Sequence, residues 1–161
     1  MLSPKSGAKT PSRQPSQISL KGRALRLLSG REHSRAELEK RLREHEEAPG
    51  DLAKALDELE AKGFFSEQRV IESVINRRQA KLGSARIRQE LQSKGLDKEA
   101  VVGAVASLQA TELDRARDIW NRKFGEVATD AKARGQQMRF FASRGFSGDV
   151  IRKVMAGGDA Q

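Results

Sequence analysis

Apolar side chains recur three and four positions apart along almost the whole chain after residue 17. The clearest runs are Leu20, Ala24, Leu27 and Leu28, then Leu38 and Leu42, then Leu52, Leu56 and Leu59. This spacing places the apolar side chains on one face of an α-helix, and the alternation typical of strands is not sustained in any segment. The pattern therefore predicts an all-α protein with about eight or nine helices of about 8–16 residues each.

Punctuating residues mark where these helices begin and end. Ser34 and Glu37 have the spacing of a capping box, and Asp97 and Ser147 are N-cap candidates, because their side-chain oxygens accept the free amides of a first turn. Glycine closes a helix because it adopts the left-handed conformation without steric cost. The glycines predicted to end helices are Gly30, Gly63, Gly83, Gly95, Gly125, Gly145 and Gly157.

The helical segments repeat at an interval of about 50 residues. Shifting the sequence by 49 positions places Leu38 on Ile87 and Leu42 on Leu91, and shifting it by 50 places 93–96 (SKGL) on 143–146 (SRGF). A repeat of this length is typical of solenoid-like arrays, whose units bury apolar faces against their neighbours. The sequence predicts three tandem three-helix repeats in an elongated, curved array, at residues 18–64, 65–110 and 111–157.

The two ends of the chain lack this pattern. Residues 1–17 are rich in Ser, Pro and Lys and carry only two large apolar side chains, Met1 and Leu2. Such a segment cannot bury enough apolar surface to offset the entropy lost on ordering, so we predict a disordered basic tail. Residues 158–161 are predicted to be a short C-terminal tail.

Positive charge is unevenly distributed along the chain. The protein has 31 Lys and Arg against 22 Asp and Glu, a formal charge of +9. Within residues 77–94, six basic side chains accompany a single acid, Glu90. This surplus indicates an anionic partner, with a solvated surface as the alternative. The candidate partner-binding residues, which include two from the third repeat, are Arg77, Arg78, Lys81, Arg86, Arg88, Lys94, Arg139 and Arg144.

Aromatic residues are expected to serve packing first. Trp120 shares a helical stripe with other apolar residues, so a core position is favoured over stacking with single-stranded bases. Phe141 is predicted to be buried, whereas Phe140 is expected either against a neighbouring unit or exposed. The adjacent pair 64–65 (FF) is expected to fill the joint between the first two repeats.

The residues needed for covalent chemistry are missing from the sequence. There is no cysteine, no phosphate-binding loop of the Lys-Ser/Thr type, and only two histidines, His33 and His45. His33 is expected in a turn and His45 at a helix end, without a nucleophile or zinc-ligand pattern around them. We therefore expect no enzymatic activity, cofactor or metal. The absence of long apolar runs predicts a soluble cytoplasmic protein without membrane contact, and a monomer.

Several segments together carry a family resemblance through their order and spacing. They are 24–28 (ALRLL), 31–38 (REHSRAEL), 62–69 (KGFFSEQR), 82–91 (LGSARIRQEL), 94–96 (KGL) and 139–146 (RFFASRGF) with Ile151. Across about residues 20–155 the chain resembles the RecX family, bacterial regulators of the RecA recombinase. It departs from the family pattern after Arg69, where Val70 and Ile71 replace an aromatic residue and alanine, and at Ser66 and Glu67, which replace an acidic pair.

The resemblance implies a non-enzymatic regulator that binds the RecA–DNA filament. Such a protein suppresses the recombinase ATPase and strand exchange and limits filament growth. The alternative function is a stand-alone module that binds single-stranded or double-stranded DNA weakly and without sequence preference, because a protein of this charge is attracted to phosphates.

Overall fold

The computed structural model describes residues 17–157, and all regular structure in that range is helical. A single 3-10 turn, Arg43–His45, follows the second helix. The eight α-helices are α1 (Leu20–Gly30), α2 (Arg35–Leu42), α3 (Asp51–Ala61), α4 (Glu67–Arg78), α5 (Ser84–Ser93), α6 (Lys98–Lys123), α7 (Ala131–Ser143) and α8 (Gly148–Met155). The all-α class and the helix count are confirmed. The predicted tail at 158–161, and 1–17 apart from Gln17, lie outside the described residues.

The predicted helix starts are confirmed by their hydrogen bonds. The Ser34 hydroxyl accepts from the Glu37 amide at 3.1 Å, and the Glu37 carboxylate accepts from the Ser34 amide at 3.1 Å, which completes the capping box. Asp97 caps α6 and Ser147 caps α8 in the same way. These local contacts satisfy amides that a helix leaves free at its first turn.

Glycine closes five of the predicted ends in the left-handed conformation, at positions 63, 95, 125, 145 and 157. Gly30 is the last residue of α1 without adopting that conformation. The prediction for Gly83 is wrong. Its φ is −80°, and it stands at the N-cap of α5 rather than at the end of a helix.

Three separate apolar cores divide the helices into three units. Unit 1 comprises α1–α3, unit 2 comprises α4, α5 and the first half of α6, and unit 3 comprises the second half of α6 with α7 and α8. The 26 residues of α6 span about 39 Å and belong to two cores, with Leu108 in the core of unit 2 and Leu113 packed on that of unit 3. The predicted boundary at 110/111 thus falls inside a continuous helix.

The units follow one another in a row. Among the described residues, hydrogen bonds and ion pairs join unit 1 to unit 2 and unit 2 to unit 3, and none joins unit 1 to unit 3. Each unit is therefore held by its neighbour in sequence, as in an elongated repeat array.

The aromatic residues mostly take the predicted positions. Trp120 is 6% exposed and Phe141 is fully buried, both in the core of unit 3. Phe65 closes the core of unit 1, but Phe64 is 47% exposed, so its predicted place in a joint is wrong. Phe140 takes neither expected position, because it is half-buried inside its own unit against Phe124, with ring centroids 5.4 Å apart.

Candidate interaction surface

The joint between units 2 and 3, called the second joint here, is built from main-chain hydrogen bonds. The Gly83 amide donates to the Arg144 carbonyl at 2.8 Å, and the Ala85 amide donates to the Gly145 carbonyl at 3.3 Å. The Ser84 amide donates to the Glu112 carboxylate at 3.1 Å. The first turn of α5 is thus capped by unit 3 and by α6 instead of by a side chain of its own.

Two glycines allow the chains to approach closely at this joint. A Cβ atom on Gly83 would lie 2.4 Å from the carbonyl carbon of Gly145. A Cβ atom on Gly145 would lie 2.5 Å from the Arg86 amide nitrogen, and Gly145 also has a φ of +87°. Only glycine fits at both positions, since main-chain atoms cannot move aside as a flexible side chain can.

Two charged residues of α6, the buried Glu112 and the partly buried Arg115, support the same joint. Glu112 is 5% exposed, and the guanidinium of Arg115 donates to the carbonyls of Gln79, Leu82 and Leu108 at 2.8, 2.7 and 3.0 Å. Burial lowers the pKa of Arg115, and the charge of Glu112 opposes that shift. Neither residue was predicted from the sequence. The signal in the sequence is that Glu112, an acidic residue, lies four positions from both Leu108 and Ala116 on an apolar helical stripe.

The joint between units 1 and 2, called the first joint here, uses side chains. The Ser34 hydroxyl donates to the Lys94 carbonyl at 2.6 Å, and the Lys94 ammonium pairs with Glu37 at 3.3 Å. Burial raises the pKa of Glu37, but hydrogen bonds from Arg31 and the Ser34 amide and the charge of Lys94 outweigh it and lower that pKa to about 2. The capping box of α2 therefore also holds the next unit.

Four of the eight candidate cations contact a carboxylate, an aromatic ring or another helix, whereas Arg77 donates to the Ser73 carbonyl of its own helix at 3.3 Å. Lys94 is the ion-pair partner of Glu37 and its side chain is 13% exposed, so it serves the first joint rather than presenting free charge. Arg78 pairs with Glu90 at 3.1 Å, and Arg86 donates to the Ser143 carbonyl at 3.5 Å. The Arg144 guanidinium carbon lies 3.8 Å from the ring centroid of Phe140.

The other four candidates are exposed and, within residues 17–157, form no ion pair with a carboxylate. They are Arg77, Lys81, Arg88 and Arg139. Arg86 and Arg88 project about 200° apart around the axis of α5, so they cannot belong to one flat patch. Contacts instead place Arg86 against Ser143 and Gly145, the two chain neighbours of Arg144, at the second joint. The basic stretch of the sequence is thus divided between different sides of unit 2.

The two histidines lie in different environments, one buried and one in the 3-10 turn. His33 is 2% exposed, with Nδ1 3.0 Å from the Arg31 carbonyl, and burial lowers its pKa. His45 lies beside Glu44 in the 3-10 turn. In the described range, no three His, Asp or Glu side chains are arranged to hold a metal ion. None of the helices described has the length and hydropathy to cross a membrane.

Family models and relatives match this arrangement along most of the chain. The models of the first, second and third three-helix domains of RecX match residues 21–59, 66–104 and 110–155. A regulatory protein RecX from Leptothrix cholodnii is 50% identical over 86% of this chain and 88% of its own length. One from Herminiimonas arsenicoxydans is 48% identical over 86% of this chain and 92% of its own length.

Solved structures agree in fold. The crystal structure of RecX from Lactobacillus salivarius superposes with a TM-score of 0.66 at 18% identity, over 84% of this chain and 91% of that one. A second crystal structure of a regulatory protein RecX also has a TM-score of 0.66, over 84% of this chain and 70% of that one. With three matching domain models and relatives at about half identity over most of its length, the chain belongs to the RecX family.

Proposed function

We propose that this chain is a non-enzymatic regulator that binds the RecA–DNA filament and inhibits the recombinase ATPase and strand exchange or filament growth. The observation that carries the proposal is the arrangement of exposed cations on a continuous helical scaffold. Arg77, Lys81 and Arg88 lie on unit 2 and Arg139 lies on unit 3, and the two units share α6. A row of units with separated positive charges suits a repetitive anionic surface such as a filament groove.

The proposed mechanism is geometric. The array spans neighbouring protomers of the filament, blocks strand access and restrains the movements that accompany ATP turnover. Binding energy comes from many polar contacts of modest strength, so affinity falls as salt screens them. The chain acts as a monomer and needs no cofactor of its own.

The experiment measures RecA ATPase on single-stranded DNA with a charge-reversed variant. The variant is Arg77→Glu, Lys81→Glu and Arg88→Glu, which leaves the Arg78–Glu90 ion pair in place. We expect inhibition to be lost while helicity stays unchanged. The matched control reverses three exposed lysines of unit 1, Lys40, Lys54 and Lys62, and retains inhibition. Equal loss in both variants would assign the effect to net charge alone.

Stoichiometry separates the proposal from the alternative of a stand-alone DNA-binding module. A filament regulator inhibits when the protein is far below the amount needed to cover the DNA. A competitor for DNA inhibits only when it can coat the strand. Titration of the protein into RecA on saturating single-stranded DNA therefore distinguishes the two functions.

A further inference from the structure

Unit 3 carries a cluster of cations around one half-buried aromatic ring. The Lys123 ammonium lies 4.5 Å, and the Arg144 guanidinium carbon 3.8 Å, from the ring centroid of Phe140. Two more aromatic rings, those of Phe124 and Phe141, meet Phe140 edge to face at 5.4 and 5.2 Å. We refer to Lys123, Phe140 and Arg144 as the unit 3 platform. Its ring orientation is set by the aromatic core beneath it.

The positive charge of the platform is not neutralised within the described part of the chain. Neither Lys123 nor Arg144 lies within 4.0 Å of a carboxylate in that range. Arg86 adds a third cation, because its guanidinium reaches the Ser143 carbonyl at 3.5 Å beside Arg144. The carbonyl end of α7 offsets only part of this repulsion. Lys123 and Arg144 at the Phe140 ring, and Arg86 at the end of α7, have no ion-pair partner in the described range and are suited to an anion supplied by a partner.

The shape of the platform favours nucleic acid over an acidic protein surface. The Arg144 guanidinium is planar, and Phe140 holds it at stacking distance. Guanidinium planes and aromatic rings are the surfaces on which unpaired bases stack, while neighbouring Lys and Arg side chains hold the phosphates. Acidic side chains of a protein would bind the N–H groups at the edge of the guanidinium and leave its face unused. Paired bases in a duplex would not expose their faces to it.

We infer that the unit 3 platform binds a single strand of nucleic acid, with a base stacked on the Arg144 guanidinium and adjoining phosphates held by Lys123 and Arg86. This inference rests on the proposed function and deepens it, because it assigns the DNA strand, rather than the recombinase, to this surface. The exposed cations of unit 2 are then available to bind the other part of the filament, the recombinase.

The test measures the anisotropy of a labelled oligothymidylate with no recombinase present. The variant Lys123→Gln with Arg144→Gln is expected to bind about tenfold more weakly. The slope of log affinity against log salt should fall by about 0.7, since Lys123 is the one phosphate contact removed and each such contact to a single strand contributes about 0.7. The control Lys40→Gln with Lys62→Gln removes the same charge from unit 1, and its affinity should stay within about twofold. Equal weakening in test and control overturns the inference, and so does unchanged binding in the test variant.

A conservative variant separates stacking from charge. Arg144→Lys keeps the cation and removes the plane, so binding to oligothymidylate should weaken while binding to an abasic strand of the same length does not change. Equal weakening on both strands, or on neither, contradicts a stacked base. Emission of Trp120, the one tryptophan, reports that unit 3 is folded, since Trp120 lies 6.1 Å from Phe141. Without recombinase in the assay, a negative result leaves the ATPase test of the proposed function standing.

Discussion

The two joints of the array bring equivalent elements into contact, but the chemistry of the contact differs. In both, the end of the second helix of one unit docks on the start of the second helix of the preceding unit. The first joint relies on the hydroxyl of Ser34 and the ion pair of Glu37 with Lys94. The second joint relies on the main-chain amides of Gly83 and Ala85.

The identity of the N-cap residue explains the difference. Under the 49-residue shift that relates units 1 and 2, Ser34, the N-cap of α2, corresponds to Gly83, the N-cap of α5. The N-cap of α5 is Gly83, which has no side chain to accept an amide, so the neighbouring unit supplies the acceptors. The buried Ser84 hydroxyl is left without a hydrogen-bond partner among the described residues. The first joint therefore depends on ionisation and the second on close packing.

The largest expected effect comes from adding a methyl group at the second joint. Gly145→Ala combines a left-handed φ with a Cβ 2.5 Å from main-chain atoms, and it should destabilise the protein by about 2–5 kcal/mol. Urea unfolding followed by Trp120 emission measures it. The control is Gly103→Ala, inside α6 with open space around it, which should stabilise by about 0.5–1 kcal/mol. A Gly145→Ala protein of unchanged stability would contradict the packed joint.

The buried acid of α6 should produce the next largest effect. Glu112→Ala leaves the Ser84 amide without its acceptor and removes the charge near Arg115, which should cost about 1–3 kcal/mol. Hydrogen exchange of the Ser84 amide should rise more than that of the first turn of α2, since Glu112 contributes to the second joint alone. Equal changes at both joints would show that the two are coupled.

Two buried serines, one at each joint, should respond differently to the same substitution. Ser34→Ala removes both a helix cap and the donor to Lys94, and it should destabilise by about 1–2 kcal/mol. Ser84→Ala removes a hydroxyl that has no partner, so its stability should be unchanged or slightly higher. Parallel denaturant titrations measure both. Equal losses would mean that the Ser84 hydroxyl has a partner in solution.

The last expected effect concerns pH at the first joint. The pKa of Glu37 falls from its ordinary value of 4.5 to about 2 on folding, so its ionised form stabilises the protein above pH 4.5, and that contribution is lost as pH falls toward 2. Glu37→Gln should therefore be less stable than the native protein above pH 4.5, with the difference disappearing near pH 2. Circular dichroism during urea unfolding at several pH values measures it. A difference independent of pH would exclude the ion pair as its cause.

Site prediction from the sequence was less complete than fold prediction. The density of cations along the chain does not reveal that Lys94 pairs with Glu37 or that Arg144 stacks on Phe140. A glycine between two helical segments, such as Gly83, fits either the end of one helix or the start of the next. Glu112 and Arg115 cannot be predicted from local sequence because most of their partners lie outside α6.

The sequence by itself determined the all-helical class, the three units and most helix caps. Helical periodicity and capping act within a few residues, so one short segment contains all the interacting groups. Only the tertiary structure decided which cations remain exposed and how the units join. Those outcomes depend on contacts such as the one between Gly83 and Arg144, which are 61 positions apart, and on the close approach of two main chains that no local pattern records.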